Sequence, residues 1–272
     1  MTGVGLLGCG AMGGEVAGAV RDGKTGDARL VALYDQAPGV ASALAESLGV
    51  TIPATDSIGH FLASPDLDLV VESASPNAVR AHSEAVLSAG KDLLLMSSGA
   101  LTDPELSARL ATLAVEGKRR VIVPSGALGG IDAIRAVSDR LDEVALTTTK
   151  PPQALRGAPG FSEWESKTLT EPTVIFEGAA LDAVRLFPAN VNVAATLSLA
   201  GIGPARTLVR VIADPASSVN RHEITASGEF GRFRFEMELK PHDHNPKTSF
   251  LAVVSAIEAL RSACSSGIRI GT

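Results

Sequence analysis

Three glycines, Gly8, Gly10 and Gly13, follow a short apolar run that opens the chain at Val4-Gly5-Leu6-Leu7. Their G-x-G-x-x-G spacing, with Ala11 and Met12 between the second and third, suits a tight turn feeding the first turn of a helix. Gly8 would permit the turn and Gly10 would let the backbone approach a pyrophosphate. Gly13 would let the helix pack closely on the strand, and the helix N-terminus would hold the anion. About twenty residues on, a second apolar run, Leu30-Val31-Ala32-Leu33-Tyr34, ends in Asp35, where a dinucleotide fold places an acid on the ribose hydroxyls. A carboxylate there repels a 2′-phosphate, so Asp35 points to NAD in preference to NADP.

Proton transfer at neutral pH is most readily done by histidine, and the chain has five. His60 and His82 fall on helix-like segments and read as structural. His242-Asp243-His244 has the look of a metal pair but lacks a third ligand, and it reads as a solvated polar loop with no metal. His222, in Asn220-Arg221-His222-Glu223, enters a β-like segment between an Arg and a Glu. From spacing alone, both a structural and a catalytic role suit it.

The elements that must position these groups alternate. After Asp35, helix-like segments at 39–48, 56–63, 77–89 and 104–116 are interleaved with strand-like runs at 67–72, 92–96 and 121–123. That order predicts a doubly wound parallel sheet of the Rossmann type, with ligands at the carboxyl ends of the strands. The loops containing Ser73 and Ala74, and Ser97 and Ser98, would then face the nicotinamide end. Beyond about Ile131 the texture changes. A helix over 131–141, a β-rich run at 143–150, a Pro/Gly loop at 151–160, a helix over 190–199 and alternating runs at 207–213, 223–227 and 232–239 predict a second α+β domain with a mostly antiparallel sheet. Asn245 and Pro246 look like the cap and first residue of a final helix that returns to the first domain. The expected domains are therefore 1–123 plus about 246–272 for the dinucleotide, and about 124–245 for catalysis and substrate.

Composition supports an enzyme. In 272 residues, 45% are hydrophobic and 20% charged, with a net charge of −6; this suffices for sizeable cores and offers no basic stripe for nucleic acid. Cys9 and Cys264 are too few for a disulfide framework and fit a reducing cytoplasm. No apolar run reaches membrane-spanning length, and the N-terminal run lacks the basic flank of a signal peptide.

Blocks along nearly the whole chain, in order, resemble the L-aspartate dehydrogenase family. They are Gly126-Ala127-Leu128-Gly129-Gly130-Ile131-Asp132-Ala133, the run from Phe187 to Gly203, Ile212-Ala213-Asp214-Pro215, Asn220-Arg221-His222-Glu223, Asn245-Pro246-Lys247-Thr248-Ser249 and Ile270-Gly271-Thr272. Leu128 and Arg221 depart from the family pattern, which often has Ile and an aliphatic residue there; the second change bears on the charge beside His222. The resemblance implies NAD(P)-dependent oxidative deamination of L-aspartate through iminoaspartate to oxaloacetate and ammonia, and the reverse amination. It implies His222 as the acid/base, Gly126, Ala127, Asn190 and Asn192 against the cofactor, and a homodimer. Two substrate carboxylates need partners. Lys150, Arg221, Lys247 and a helix start at Thr248-Ser249 are candidates by charge and position, although each also suits a solvated surface. Rival readings are a homoserine dehydrogenase or dihydrodipicolinate reductase type of enzyme, and a non-catalytic NAD(H) sensor.

Overall fold

A computed structural model describes residues 1–188, 192–242 and 245–268, the last segment without the side chains of 245–247. Two compact units result. Among the described residues one is Met1–Pro124 with 253–268, and the other is Ser125–Ala252.

In the first unit, β1 (Thr2–Leu7), α1 (Ala11–Arg21), β2 (Ala28–Tyr34), α2 (Val40–Leu48), β3 (Ala54–Thr55) and α3 (Ile58–Leu62) form one half of a wound sheet. The other half is β4 (Leu69–Glu72), α4 (Pro76–Ser88), β5 (Asp92–Leu95), α5 (Pro104–Gly117) and β6 (Val121–Ile122). The strands are parallel in the order β3-β2-β1-β4-β5-β6. Helices cover the four central strands, which are mostly apolar runs: Val4, Leu6, Leu33, Leu69, Val71 and Leu94 are fully buried, while the edge strands β3 and β6 are half-buried. The winding reverses between β1 and β4, which is where an open α/β sheet leaves a crevice at its carboxyl edge.

The second unit adds α6 (Ile131–Ala136), β7 (Leu141–Lys150), α7 (Pro152–Leu155), β8 (Thr173–Ala179), α8 (Ala180–Leu186), α9 (Asn192–Ala200), β9 (Leu208–Ala213), β10 (Asn220–Gly228) and β11 (Gly231–Leu239). Its sheet runs β11-β10-β7-β9-β8 and is antiparallel except where β7 meets β9. One face packs on Phe161, Phe187, Leu155, Ile134 and the alanine-rich α9. A two-stranded ribbon, β12 (Pro241–His242) with β13 (Asn245–Ser249), precedes α10 (Phe250–Cys264). The α10 residues Val253, Ala256, Leu260 and Cys264 join the core formed by Val4, Val16 and Leu30.

Three local expectations are corrected. The helix expected over 131–141 stops at Ala136, and a 3-10 turn at Ser138–Arg140 leads straight into β7; Val137, Ser138 and Asp139 are weak helix formers, and the strand needs Leu141. The Pro/Gly loop contains α7 and a further 3-10 turn at Pro159–Trp164. Asn245 does not cap a helix: the ribbon, with Pro241 opposite Ser249, claims 245–249, and α10 begins at Phe250. Strand pairing overrides the local capping signal. The strand β8 and helix α8 had no distinct sequence signal.

Gly8 and Gly13 are required by the fold itself. Gly8 has φ of 102°, and a Cβ there would meet Ala74 at 2.7 Å; a Cβ on Gly13 would lie 2.0 Å from the Gly8 carbonyl oxygen. Gly10 is extended at φ −74°, and a Cβ there would meet nothing within 4 Å. Gly13→Ala is therefore expected to lose roughly 1–3 kcal/mol of stability from overpacking, while Gly10→Ala keeps the wild-type thermal midpoint. Calorimetry of the two variants checks this, and an equal loss in both would contradict it.

Candidate active site

The first unit supplies a cradle for an anion. The turn 8–10 connects β1 to α1, whose N-cap is Gly10 with no side-chain cap. By contrast Ser57, Ser75 and Asp103 cap α3, α4 and α5 with their side chains. An uncapped first turn keeps its N–H donors available to an external acceptor. Ala11 is exposed and Met12 half-buried on this turn. Beside it, the Asp35 carboxylate accepts from the backbone N–H of Cys9 at 2.9 Å and of Ala37 at 2.9 Å. These bonds tie the acid at the end of β2 to the glycine turn. Burial, with Asp35 nearby, pushes the Cys9 thiol up to about 12, so it is an inert packing group.

The neighbouring loops are held by one buried carboxylate. Glu72, at the end of β4, accepts from the N–H of Ala74 (2.8 Å), Ser75 (2.9 Å) and Ser97 (3.0 Å), and from the Ser97 hydroxyl (2.8 Å). Burial raises its pKa, while the bonds from Ser97, Ala74 and Ser75 pull the other way. Ser73 donates its hydroxyl to the Gly8 carbonyl at 2.8 Å. The glycine turn and the loops after β4 and β5 are thus one hydrogen-bonded assembly, with Ser97 and Ser98 buried in it. Glu72 was missed as a positioning residue; its signal was an acid ending an otherwise apolar strand.

The second unit holds a polar cluster in a dry place. His222 is 2% exposed and Lys150 3% exposed. His222 lies within β10 and pairs with Thr148 of β7, whose Oγ1 is 2.9 Å from Nδ1 of the imidazole. Side chains alternate along a strand, so Lys150, two residues beyond Thr148, shares this face. Burial, then the Lys150 charge, brings His222 down to about 3; burial alone brings Lys150 down to about 8. Between those values the face carries a neutral imidazole beside an ammonium, which suits a proton acceptor next to an anion subsite.

Other expected residues fall elsewhere. Arg221 is on the opposite face of β10, where Nε meets Glu238 at 3.1 Å and the side chain is solvent-exposed; the alternation that buries His222 turns it away. Thr248 and Ser249 lie in β13, so no helix start exists there, and the Lys247 side chain is outside the described residues. Gly126 adopts φ of 66°, and Ala127 is buried in the second unit's core. Asn192 is the half-buried first residue of α9; Asn190 lies outside the described residues. His242 is buried in β12 and stacked on Phe250, so it is not solvated; Asp243 and His244 lie outside the described residues. His82 meets the Tyr34 hydroxyl at 3.3 Å, and the His60 N–H is part of the Ser57 cap of α3. No helix among the described residues is long and apolar enough to cross a membrane.

Residues 132–263 match the family model described as aspartate dehydrogenase, C-terminal, and residues 8–124 match that of the homoserine dehydrogenase NAD binding domain. The chain is 43% identical to the L-aspartate dehydrogenase of Nitrosopumilus maritimus and 47% identical to that of Methanosarcina mazei, covering 99% of both chains in each case. The chain belongs to the L-aspartate dehydrogenase family. The crystal structure of aspartate dehydrogenase from Thermotoga maritima superposes with a TM-score of 0.77 at 29% identity, covering all of both chains.

Keeping Lys150 buried costs stability. Its pKa is about 8 folded against an ordinary 10.5, so the folded state holds fewer protons than the unfolded one between those values, and stability rises with pH across that window. Lys150→Met is expected to gain up to ~3 kcal/mol at pH 7, and the gain fades from pH 8 to 10.5. Denaturant unfolding at several pH values tests this; a variant less stable at pH 7 than at pH 10, relative to wild type, would refute it.

Proposed function

We propose that this chain catalyses the NAD(P)-dependent oxidative deamination of L-aspartate to oxaloacetate and ammonia, and the reverse amination. Family membership over the full chain supports the reaction, and the observation that carries the residue roles is the buried Lys150–His222–Thr148 face. The glycine turn, the uncapped α1 N-terminus and Asp35 fit a dinucleotide. Gly10 is free of any packing need for glycine, as expected where a pyrophosphate must come close to the backbone. Asp35 favours an unphosphorylated ribose, hence NAD over NADP. Ser73, Ala74, Ser97 and Ser98, with Gly126, Ala127, Asn190 and Asn192, complete the cofactor contacts in this reading.

When bound, the dinucleotide supplies the hydride acceptor for the substrate Cα–H. Lys150 attracts a substrate carboxylate by its unscreened charge. Thr148 accepts the Nδ1–H of His222 and thereby leaves Nε2 as the proton acceptor. His222 takes a proton from the water that adds to the imine carbon of iminoaspartate, then returns it to the departing nitrogen, so that ammonia leaves and oxaloacetate remains. A bound dicarboxylate offsets the Lys150 charge that depresses His222, raising the basicity of the imidazole when the substrate is in place. Free, buried Cys9 and Cys264 support a reducing cytoplasm, and exposed Val174 and Leu208 on adjoining strands support a homodimer.

The decisive assay is NADH oxidation with oxaloacetate, with and without ammonia. Ammonia-dependent turnover is expected, and His222→Ala is expected to lose about 10²–10⁴-fold in kcat. Turnover of homoserine in place of aspartate, or an unaffected variant, would overturn the proposal. Gly10→Ala is expected to raise KM for NAD with little change in KM for L-aspartate.

A further inference from the structure

Buried side-chain polar atoms without a hydrogen-bond partner occur, among the described residues, at Thr25, Asn220 and Ser249, and Asn220 alone contributes two, Oδ1 and Nδ2. Asn220 is the first residue of β10 and has no solvent exposure. Its partner on the β11 side is the apolar Leu239. Nothing in the strand pairing calls for a carboxamide here, and an apolar side chain of equal size would avoid leaving buried donors and an acceptor unmade. A fully buried carboxamide with both ends orphaned therefore points to a group supplied from outside the chain.

Its place on the sheet says which group. Asn220 and His222 are two residues apart on one strand, so they share a face about 7 Å apart. Thr148 and Lys150 share that face on the adjoining strand, Thr148 being directly opposite His222. The carboxamide thus lines the same dry surface as the imidazole and the ammonium. Ser249, the other orphan in this unit, lies in β13 opposite Pro241, two residues past the Asn220 partner Leu239.

We propose that Asn220 is a substrate-binding residue that grips the α-amino acid head of the substrate, its Oδ1 accepting from the α-nitrogen N–H and its Nδ2 donating to the α-carboxylate. This rests on the reading of the His222 face as the aspartate site. Lys150 then takes the side-chain carboxylate. An imine offers the N–H that Oδ1 needs and a ketone offers none, so Asn220 favours reduction of iminoaspartate over direct reduction of oxaloacetate.

The test uses the full-length enzyme and two variants, Asn220→Leu and Asn220→Asp. Asn220→Leu removes the orphaned polar atoms, so its thermal midpoint is expected to equal or exceed that of wild type. Its KM for L-aspartate is expected to rise at least about tenfold while KM for NAD stays within about twofold. L-Aspartate is expected to raise the thermal midpoint of the wild type and to leave that of the variant unchanged. Asn220→Asp keeps the shape and the acceptor but loses the donor and adds charge. It is expected to bind L-aspartate at least as poorly, and it decides the matter by the same two KM values if Asn220→Leu does not fold. A rise in KM for L-aspartate smaller than tenfold overturns the assignment, whatever happens to stability. A wild type inert towards L-aspartate, and towards oxaloacetate with ammonia, overturns the underlying reading as well; an active wild type with unaffected variants overturns the Asn220 assignment alone.

Discussion

Desolvation of Lys150 and His222 on one face of the second sheet is the constraint on which the proposed chemistry depends. Water would screen the ammonium and let the imidazole titrate near its ordinary value; burial removes the screening and keeps the imidazole neutral. The ammonium pays for this in lost hydration, an expense that the fold tolerates because the surrounding core is large. Phe161, Phe187, Leu155 and the alanine-rich α9 pack under the same sheet, and their burial outweighs a few polar intrusions. A buried ammonium beside a neutral imidazole is the kind of group that attracts a dicarboxylate.

The first unit solves a different problem with backbone groups. A dinucleotide pyrophosphate needs donors that do not reorganise, and the start of α1 provides them because no side chain caps it. Rigidity comes from below. Glu72 and Ser73 lace the ends of β1, β4 and β5 together through the hydrogen bonds of one carboxylate and one hydroxyl. Asp35 does the same between β2 and the glycine turn. Charged and polar groups that look like ligand contacts in the sequence thus serve equally to hold the loops in register, and a single carboxylate can do both.

Spacing was enough to read most of the wound sheet, because its central strands are buried on both faces and local signals bound helices, as Asp103 does at the start of α5 and Gly49 at the end of α2. The second unit was less legible. Its strands pair over long sequence distances, β10 with β7 and β7 with β9, and no local pattern encodes which partner a strand chooses. The same non-local pairing turned the expected helix start at Asn245 into ribbon and took Thr248 and Ser249 out of a helix N-terminus.

The sequence by itself determined the dinucleotide half, through Gly8, Gly10, Gly13 and Asp35, and pointed to the family through blocks spread along the chain. Those features are local, and local spacing carries them. Only the tertiary structure decided which polar residues converge. Arg221 and His222 are adjacent in sequence yet lie on opposite faces of β10, while Lys150, Thr148, Asn220 and His222, drawn from two strands, share one. Strand alternation separates neighbours and cross-strand register unites residues more than seventy positions apart, so membership of the site follows from pairing and not from proximity along the chain.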